Sequence, residues 1–179
     1  MSDPEDDLVP VSVRLGTVVP PEDPEDWTRP LTWVAAIGML AAPALTLVWF
    51  AVATPTETAQ PLAVTWAGAV TMVAGAAATG GTQLGRLRAF TGTLGAALLS
   101  GLLLIIVGAV TAGERQVGVA SPTLAQALAA ALAGLGGAAV AAIVGGLTAG
   151  AWPRLPRAIS SGVLGALVTL VVLPRLFGG

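Results

Sequence analysis

The side chains that most often carry catalysis or bind metal ions are largely missing from this sequence. Its 179 residues include no Cys, His, Lys, Tyr or Asn. Thiolate nucleophiles, imidazole bases, Schiff-base lysines and phenolic acids are therefore excluded, together with the metal sites that Cys and His build. We predict that the protein is not an enzyme and that it has no catalytic residue, no cofactor and no metal site.

Two carboxylates in the connections between apolar stretches remain as candidates for a reacting acid. Glu57 stands alone, and Glu114 is followed by Arg115 and Gln116. A single carboxylate beside an arginine most simply forms a surface ion pair, worth at most about 1 kcal/mol. We therefore assign Glu114 no catalytic role.

Five long apolar stretches contain no ionisable side chain, and they decide the fold class. They cover residues 31–53, 61–81, 90–112, 124–150 and 158–173. A helix of about 20 apolar residues, rising about 1.5 Å per residue, crosses the roughly 30 Å hydrocarbon core of a bilayer. The sequence therefore predicts an all-α fold, a polytopic transmembrane helical bundle of about five spans whose main partner is the lipid bilayer.

The fifth stretch is the shortest, with 16 residues before Pro174 and Arg175. Arg157 and Arg175 flank it, and their long side chains can reach the membrane surface from either end. A re-entrant segment is the alternative. It would bring the C-terminus to the same side as the N-terminus.

The first 30 residues differ from the rest in composition, because they hold eight of the ten acids and three Pro-Glu-Asp sequences. We predict that residues 1–30 form an acidic, Pro-rich cytoplasmic tail that is extended and mostly disordered, and that residues 31–179 form the transmembrane domain. The tail is either a solubilising leader or a segment that docks on another protein. No basic stripe exists to bind phosphates, so nucleic acid is not an expected partner.

The arginines predict an orientation in the membrane, since short cytoplasmic loops are enriched in positive charge. Six of the eight arginines fall before the first stretch, between the second and third, or between the fourth and fifth. This distribution places the N-terminus in the cytoplasm and the C-terminus outside, and the residues that fix it are Arg86, Arg88, Arg154 and Arg157. Richness in Ala, Gly, Val, Pro and Arg indicates a GC-rich bacterial genome, and thus a bacterial plasma membrane.

Tryptophans lie near the predicted span ends, as interface anchors do. Trp33 and Trp49 are 16 residues apart, which is about 24 Å along a helix. Trp66 and Trp152 also lie close to a span end. We predict that all four side chains anchor the bundle at the membrane surface.

Small residues at four-residue spacing predict where the helices pack, because helices in lipid associate through close backbone approach. The fourth stretch has small residues on more than one face, which predicts a central position for it. These residues pack either within the bundle or against another subunit. The candidate packing residues are Gly92, Ala96, Gly134, Ala138, Gly146, Gly150, Gly162 and Ala166.

Polar groups inside the stretches are few, and none is ionisable. Threonine hydroxyls usually bond to a carbonyl of their own helix, so we expect no function from them. The amide of Gln126 is the candidate for a bond between two helices. The hydroxyls that are available at depth in the membrane belong to Thr46, Thr65, Thr71, Thr79, Ser100 and Thr169.

Pro43 lies in the middle of the first stretch. It removes one backbone hydrogen bond and crowds the carbonyl four residues earlier, so we predict a kink around Met39 and Leu40.

A short similarity suggests an internal duplication. Arg88-Ala89-Phe90-Thr91 resembles Arg157-Ala158-Ile159-Ser160, and a Gly-x-Leu-Gly-Ala sequence follows in both places. If the similarity is a true repeat, spans two and three correspond to spans four and five in parallel orientation.

The sequence favours a non-enzymatic accessory or scaffold subunit that packs laterally against another membrane protein or a second copy of itself. The alternative is a small permease or transporter subunit for a neutral or apolar solute. A cavity at mid-membrane depth lined by Thr and Gln126 would favour transport, and a solid core of Gly and Ala would disfavour it.

Overall fold

The computed structural model of the protein describes residues 26–52, 61–113 and 124–176. These residues form five α-helices and no strand: α1 (Thr28–Val52), α2 (Pro61–Thr82), α3 (Arg86–Gly113), α4 (Leu124–Thr148) and α5 (Arg154–Leu176). The predicted all-α fold with five helices is confirmed. The predictions for the tail up to residue 25, for Glu57 and for Glu114 concern residues outside those ranges.

Four of the helices in the described ranges, α1, α3, α4 and α5, are long and apolar enough to cross a membrane. Both α3 and α5 begin four residues earlier, and α1 three residues earlier, than the apolar stretches predict, because all three first turns carry arginines. Residues 28–30 are therefore helical and do not belong to an extended tail. The fifth helix therefore has 23 residues and not 16. Pro156 lies in its first turn, where a missing N–H breaks no helical hydrogen bond.

The helix in the centre of the bundle is α2, which packs against all four other helices. The α4 helix packs mainly against α2, α3 and α5. The fourth helix therefore contacts several neighbours, as predicted, but the central position belongs to α2. The physical reason is that small residues also surround α2, where Gly68, Ala69, Gly75, Ala76 and Gly80 are all buried.

The two halves of the predicted repeat make corresponding contacts between helices. Contacts between α2 and α3 correspond to those between α4 and α5, and contacts between α2 and α5 correspond to those between α4 and α3. The α2 and α4 helices meet each other between the two pairs. This arrangement is the one a parallel repeat would give, and the duplication itself stays a prediction.

Side-chain size is distributed in the reverse of the order found in water-soluble domains. Alanine dominates the buried apolar residues of the described ranges, and the exceptions are Leu31, Met72, Val73 and Leu104. Large apolar side chains instead cover the outside, because Leu, Ile and Val are exposed along α1, α3, α4 and α5. Soluble proteins bury such residues and rarely expose large continuous apolar surfaces.

Two pairs of glycines bring neighbouring helices into backbone contact. A Cβ atom on Gly38 of α1 would lie 2.6 Å from the Cα of Gly75 on α2. A Cβ atom on Gly165 of α5 would lie 2.5 Å from the carbonyl oxygen of Gly137 on α4. Since real Cβ atoms do not come so close, only glycine allows either contact.

The carbonyl that Pro43 leaves without a helical donor is satisfied by a neighbouring helix. Pro43 lies inside α1 and has no N–H to donate to Met39. Ser100 of α3, which is fully buried, donates its hydroxyl to the carbonyl oxygen of Met39 at 2.8 Å. The predicted kink at this point stays a prediction, but the crowded carbonyl is now part of the contact between α1 and α3.

We predict that Ser100→Ala lowers the free energy of unfolding by about 1 kcal/mol, because the carbonyl of Met39 then loses its donor. In a Pro43→Ala background, the N–H of residue 43 donates to the carbonyl of Met39. Ser100→Ala should then lower the free energy of unfolding by close to zero. Unfolding of the four proteins in mixed micelles, followed by circular dichroism, measures this double-mutant cycle. An equal cost of Ser100→Ala in both backgrounds would contradict the assignment.

Candidate functional site

Three arginine-bearing segments of the described ranges meet at one end of the bundle, and Arg175 in the last turn of α5 lies at the other end. This arginine-bearing end consists of the start of α1, the connection from α2 to α3 and the connection from α4 to α5. Arg157 reaches the end of α2, Arg154 reaches the start of α1, and the guanidinium of Arg86 lies against Gly150. Five of the six arginines that the structure describes therefore lie at this end.

Arg157 is the most buried charged group of the described residues, with 2 % of its surface exposed. Its Nη2 donates to the carbonyl oxygens of Gly81 at 2.6 Å and Gln83 at 2.7 Å, with Gly80 at 3.5 Å. Its Nη1 donates to the carbonyl oxygen of Ala149 at 3.3 Å. One side chain from the first turn of α5 thus holds the ends of α2 and α4.

The chemistry of helix ends explains why an arginine occupies this position. The last four carbonyls of a helix have no N–H partner within it, and together they carry about half a negative charge. A guanidinium offers five donors and a permanent positive charge. Gly81 makes the contact possible, because a Cβ atom there would lie 2.8 Å from the Cβ of Ala158. Any other residue would push the first turn of α5 away.

Arg154 connects the same end to α1. Its Nη1 lies 3.6 Å from Oδ1 of Asp26 and contacts the hydroxyl of Thr28. Oδ1 of Asp26 accepts a hydrogen bond of 3.1 Å from the N–H of Thr28, which is one of the unpaired donors at the start of α1. The hydroxyl and N–H of Thr28, and then the charge of Arg154, hold the pKa of Asp26 below its ordinary value.

Arg86 and Arg88 at the start of α3 are exposed, unlike Arg157. In the predicted repeat, Arg88-Ala89 corresponds to Arg157-Ala158, and both alanines are buried. Only the second arginine of this pair points into the bundle. The counting of positive charges treats the two as equal, so sequence reasoning missed the role of Arg157. The feature of the sequence that could have indicated this role of Arg157 is the pair of glycines at the end of α2.

The predicted packing residues lie mostly between helices of this one chain. Gly134 faces Met72 of α2, Gly146 faces Phe90 of α3, and a Cβ atom on Gly162 would lie 3.4 Å from the Cβ of Ala77. Ala96 and Ala138 are buried, Gly92 lies beside Gln83, Gly150 lies beside Arg86, and Ala166 lines an outer groove. Sequence analysis missed the pair Gly38 and Gly75.

The predicted interface tryptophans differ in their surroundings. Trp33 and Trp152 are 66 % and 46 % exposed, respectively. Trp66 is half-buried and packs against the buried cluster that contains Ala42 and Leu104. The side chain of Trp49 lies outside the described part of the structure. The role of these residues as membrane anchors stays a prediction.

Most hydroxyls in the helices bond to their own backbone, as expected. Thr46, Thr71 and Thr79 each donate to the carbonyl four residues earlier. Thr169 also does so, and in addition donates to the carbonyl of Ala133 on α4 at 3.3 Å. Thr169 and Ser100 thus each form a polar contact between two helices, and the sequence did not reveal either contact. The side chain of Thr65 is outside the described residues.

Two apolar grooves run along the outside of the bundle. The first groove has a volume of about 410 Å³ and lies between α1, α2 and α5. The second groove has a volume of about 450 Å³, lies between α3 and α4, and reaches Arg86 at the arginine-bearing end. Neither is lined by a threonine or by Gln126.

We predict that Arg157→Met lowers the free energy of unfolding by about 2 to 3 kcal/mol, because the carbonyls of α2 and α4 lose a charged donor. Arg157→Lys keeps the charge but not the planar set of donors, so its cost should be intermediate. Arg88→Met is the matched control, since Arg88 is exposed. Unfolding in mixed micelles measures the three effects. An Arg157→Met protein as stable as the control would disprove the role.

We predict that Thr28→Ala raises the pKa of Asp26, because the hydroxyl of Thr28 is the largest cause of its depression and the substitution removes it. A depressed pKa contributes stability above the ordinary value of the carboxyl, and this contribution disappears as the pH falls through the value in the folded state. The first turn of α1 should therefore loosen in acid. Carboxyl ¹³C shifts measure the pKa. Thr32→Ala is the control, since its hydroxyl bonds to the carbonyl of Thr28.

Protein-family models, curated proteins and solved structures give no match to this chain. The five helices, four of them long and apolar, are compatible with a membrane protein.

Proposed function

We propose that the protein is an integral membrane protein of the bacterial plasma membrane, with its helices embedded in lipid. The observation that carries this proposal is the reversed distribution of side-chain size, with alanine inside and Leu, Ile and Val outside. In water this arrangement would expose a large apolar surface and bury little. In lipid it costs nothing, and the small core lets the helices approach closely.

The orientation follows from the arginines. Arg29, Arg86, Arg88, Arg154 and Arg157 all lie at the same end of the bundle, and we assign this end to the cytoplasm. The N-terminus is then cytoplasmic and the C-terminus extracytoplasmic.

Within the membrane, we assign the protein the role of a non-enzymatic accessory or scaffold subunit. The groove between α1, α2 and α5 supports this role, since its floor is formed by small residues such as Ala74, Ala158 and Gly162. The larger side chains of Leu31 and Ile159 also line it. An apolar helix of another membrane protein, or of a second copy, fits such a groove because small residues allow two backbones to approach.

Transport of a neutral solute is less well supported. The described hydroxyls bond to helix carbonyls, and the described core is formed mainly by alanine. Both grooves open to the outside of the bundle and not toward a path along its axis.

Extraction of membranes tests the first part of the proposal. The full chain should stay with the membrane fraction in alkaline carbonate and dissolve only when detergent is added. A protein that remains folded and dissolved in plain buffer would overturn it.

Co-purification tests the second part. We expect a membrane protein, or a second copy of the chain, to be retained when the tagged protein is purified in mild detergent. Ala74→Leu should reduce this retention about tenfold or more, because an exposed residue of the groove then fills it. Ala109→Leu, at an exposed position on α3, is the matched control. A monodisperse monomer without a partner would contradict the role.

A further inference from the structure

The groove between α3 and α4 combines an apolar surface with a single cation. Leu87, Phe90, Ile143 and Leu147 form most of its lining, and Gly146 lies between the two helices. A Cβ atom on Gly146 would lie 3.5 Å from the Cβ of Phe90, so the helices are in contact at the floor. The guanidinium of Arg86 is the charged group of the lining, and it stands at the arginine-bearing end.

Arg86 has no carboxylate partner among the residues that the structure describes. Asp26 is the one carboxylate in those ranges, and it lies beside Arg154. The guanidinium of Arg86 instead bends toward the end of α4, where its Nε and Nη2 would lie 3.7 Å from a Cβ atom on Gly150. Arg86 is exposed, so its positive charge is available to an anion at the mouth of the groove.

The apolar surface continues from the groove toward the middle of α4. Gly136 lies seven residues before Ile143, and residues at this spacing share one face of a helix. It is exposed, and a Cβ atom built on it would meet nothing within 4 Å. The exposed apolar face of α4 therefore extends about 10 Å beyond the groove along the helix axis, and we call this extension the acyl path.

We propose that this groove binds one anionic phospholipid, with its phosphate on Arg86 and an acyl chain along Phe90, Ile143 and Gly136. An arginine binds a phosphate through two parallel hydrogen bonds, and a basic residue near an anionic membrane surface gains about 1 kcal/mol. Arg86 also begins α3, where unpaired N–H groups favour an anion. This inference rests on the proposed location of the protein in a membrane.

The test uses the full chain in nanodiscs that contain phosphatidylglycerol and phosphatidylcholine in equal amounts. Native mass spectrometry then counts the lipids of each class that stay on the protein after the disc is removed. We expect one phosphatidylglycerol to be retained in preference to phosphatidylcholine. Arg86→Gln should reduce this preference about tenfold, because the phosphate loses its charge-assisted hydrogen bonds. Arg29→Gln, at an exposed arginine of the same end, is the control for charge alone.

A second pair of variants tests the acyl path. Gly136→Leu should reduce the retention of phosphatidylglycerol, because the new side chain fills the path without touching the core. Gly95→Leu is the matched control, since Gly95 on α3 is also exposed and also has open space around it. It lies away from the groove, so retention should not change.

The outcomes separate this inference from the proposed function. A chain that fails to enter nanodiscs would overturn the membrane location itself. A chain that enters them, but shows equal retention for the native protein, Arg86→Gln and Arg29→Gln, would overturn the lipid site alone. Loss of preference in both arginine variants would assign the effect to general surface charge and would also overturn the site. Displacement of the lipid by a co-purified apolar helix would show that the groove is a protein interface.

Discussion

In the membrane location that we propose, helices gain little from hiding apolar surface from one another, so contact between their backbones has to hold them together. The pairs Gly38 with Gly75 and Gly137 with Gly165 supply this contact for α1 with α2 and for α4 with α5. Beside the second pair, the hydroxyl of Thr169 on α5 reaches a carbonyl of α4. Ser100 on α3 instead donates to the carbonyl of α1 that a proline leaves without its helical donor.

The polar contacts at the arginine-bearing end also hold the helices together, in addition to the glycine pairs. These polar contacts lie at the ends of helices, where carbonyls and N–H groups lack partners. Arg157 joins the ends of α2 and α4 to the start of α5, and Arg154 joins the start of α5 to α1. Burying a guanidinium is costly, but several carbonyl acceptors offset this cost. The same contacts leave Arg86 as an exposed cation at a fixed place beside the groove between α3 and α4.

The sequence predicts the helices well because the length of an apolar stretch determines them, and it also identifies most of the small residues that lie between helices. Arginines in the first turns of α1, α3 and α5 shift three helix boundaries, since hydropathy excludes charged residues that a helix accepts. The centre of the bundle was assigned to α4 from its small residues, although α2 has comparable ones. The role of Arg157 depends on which arginine side chain points into the bundle. A count of charges does not show this direction. Pro43 did indicate an unpaired carbonyl at Met39, but not that Ser100 would satisfy it.

A core made of alanine and glycine also bears on how the protein can recognise a partner. Such side chains have few or no rotamers, so the bundle has little capacity to change its packing in response to a partner. Recognition must then rely on grooves that already exist on its surface. The two outer grooves share no lining residue and belong to different helices, so a lipid in one does not exclude a protein helix in the other. Under the proposed function, a bundle with two separate lateral surfaces suits a subunit that holds a neighbour in the membrane better than a carrier that must alternate between conformations.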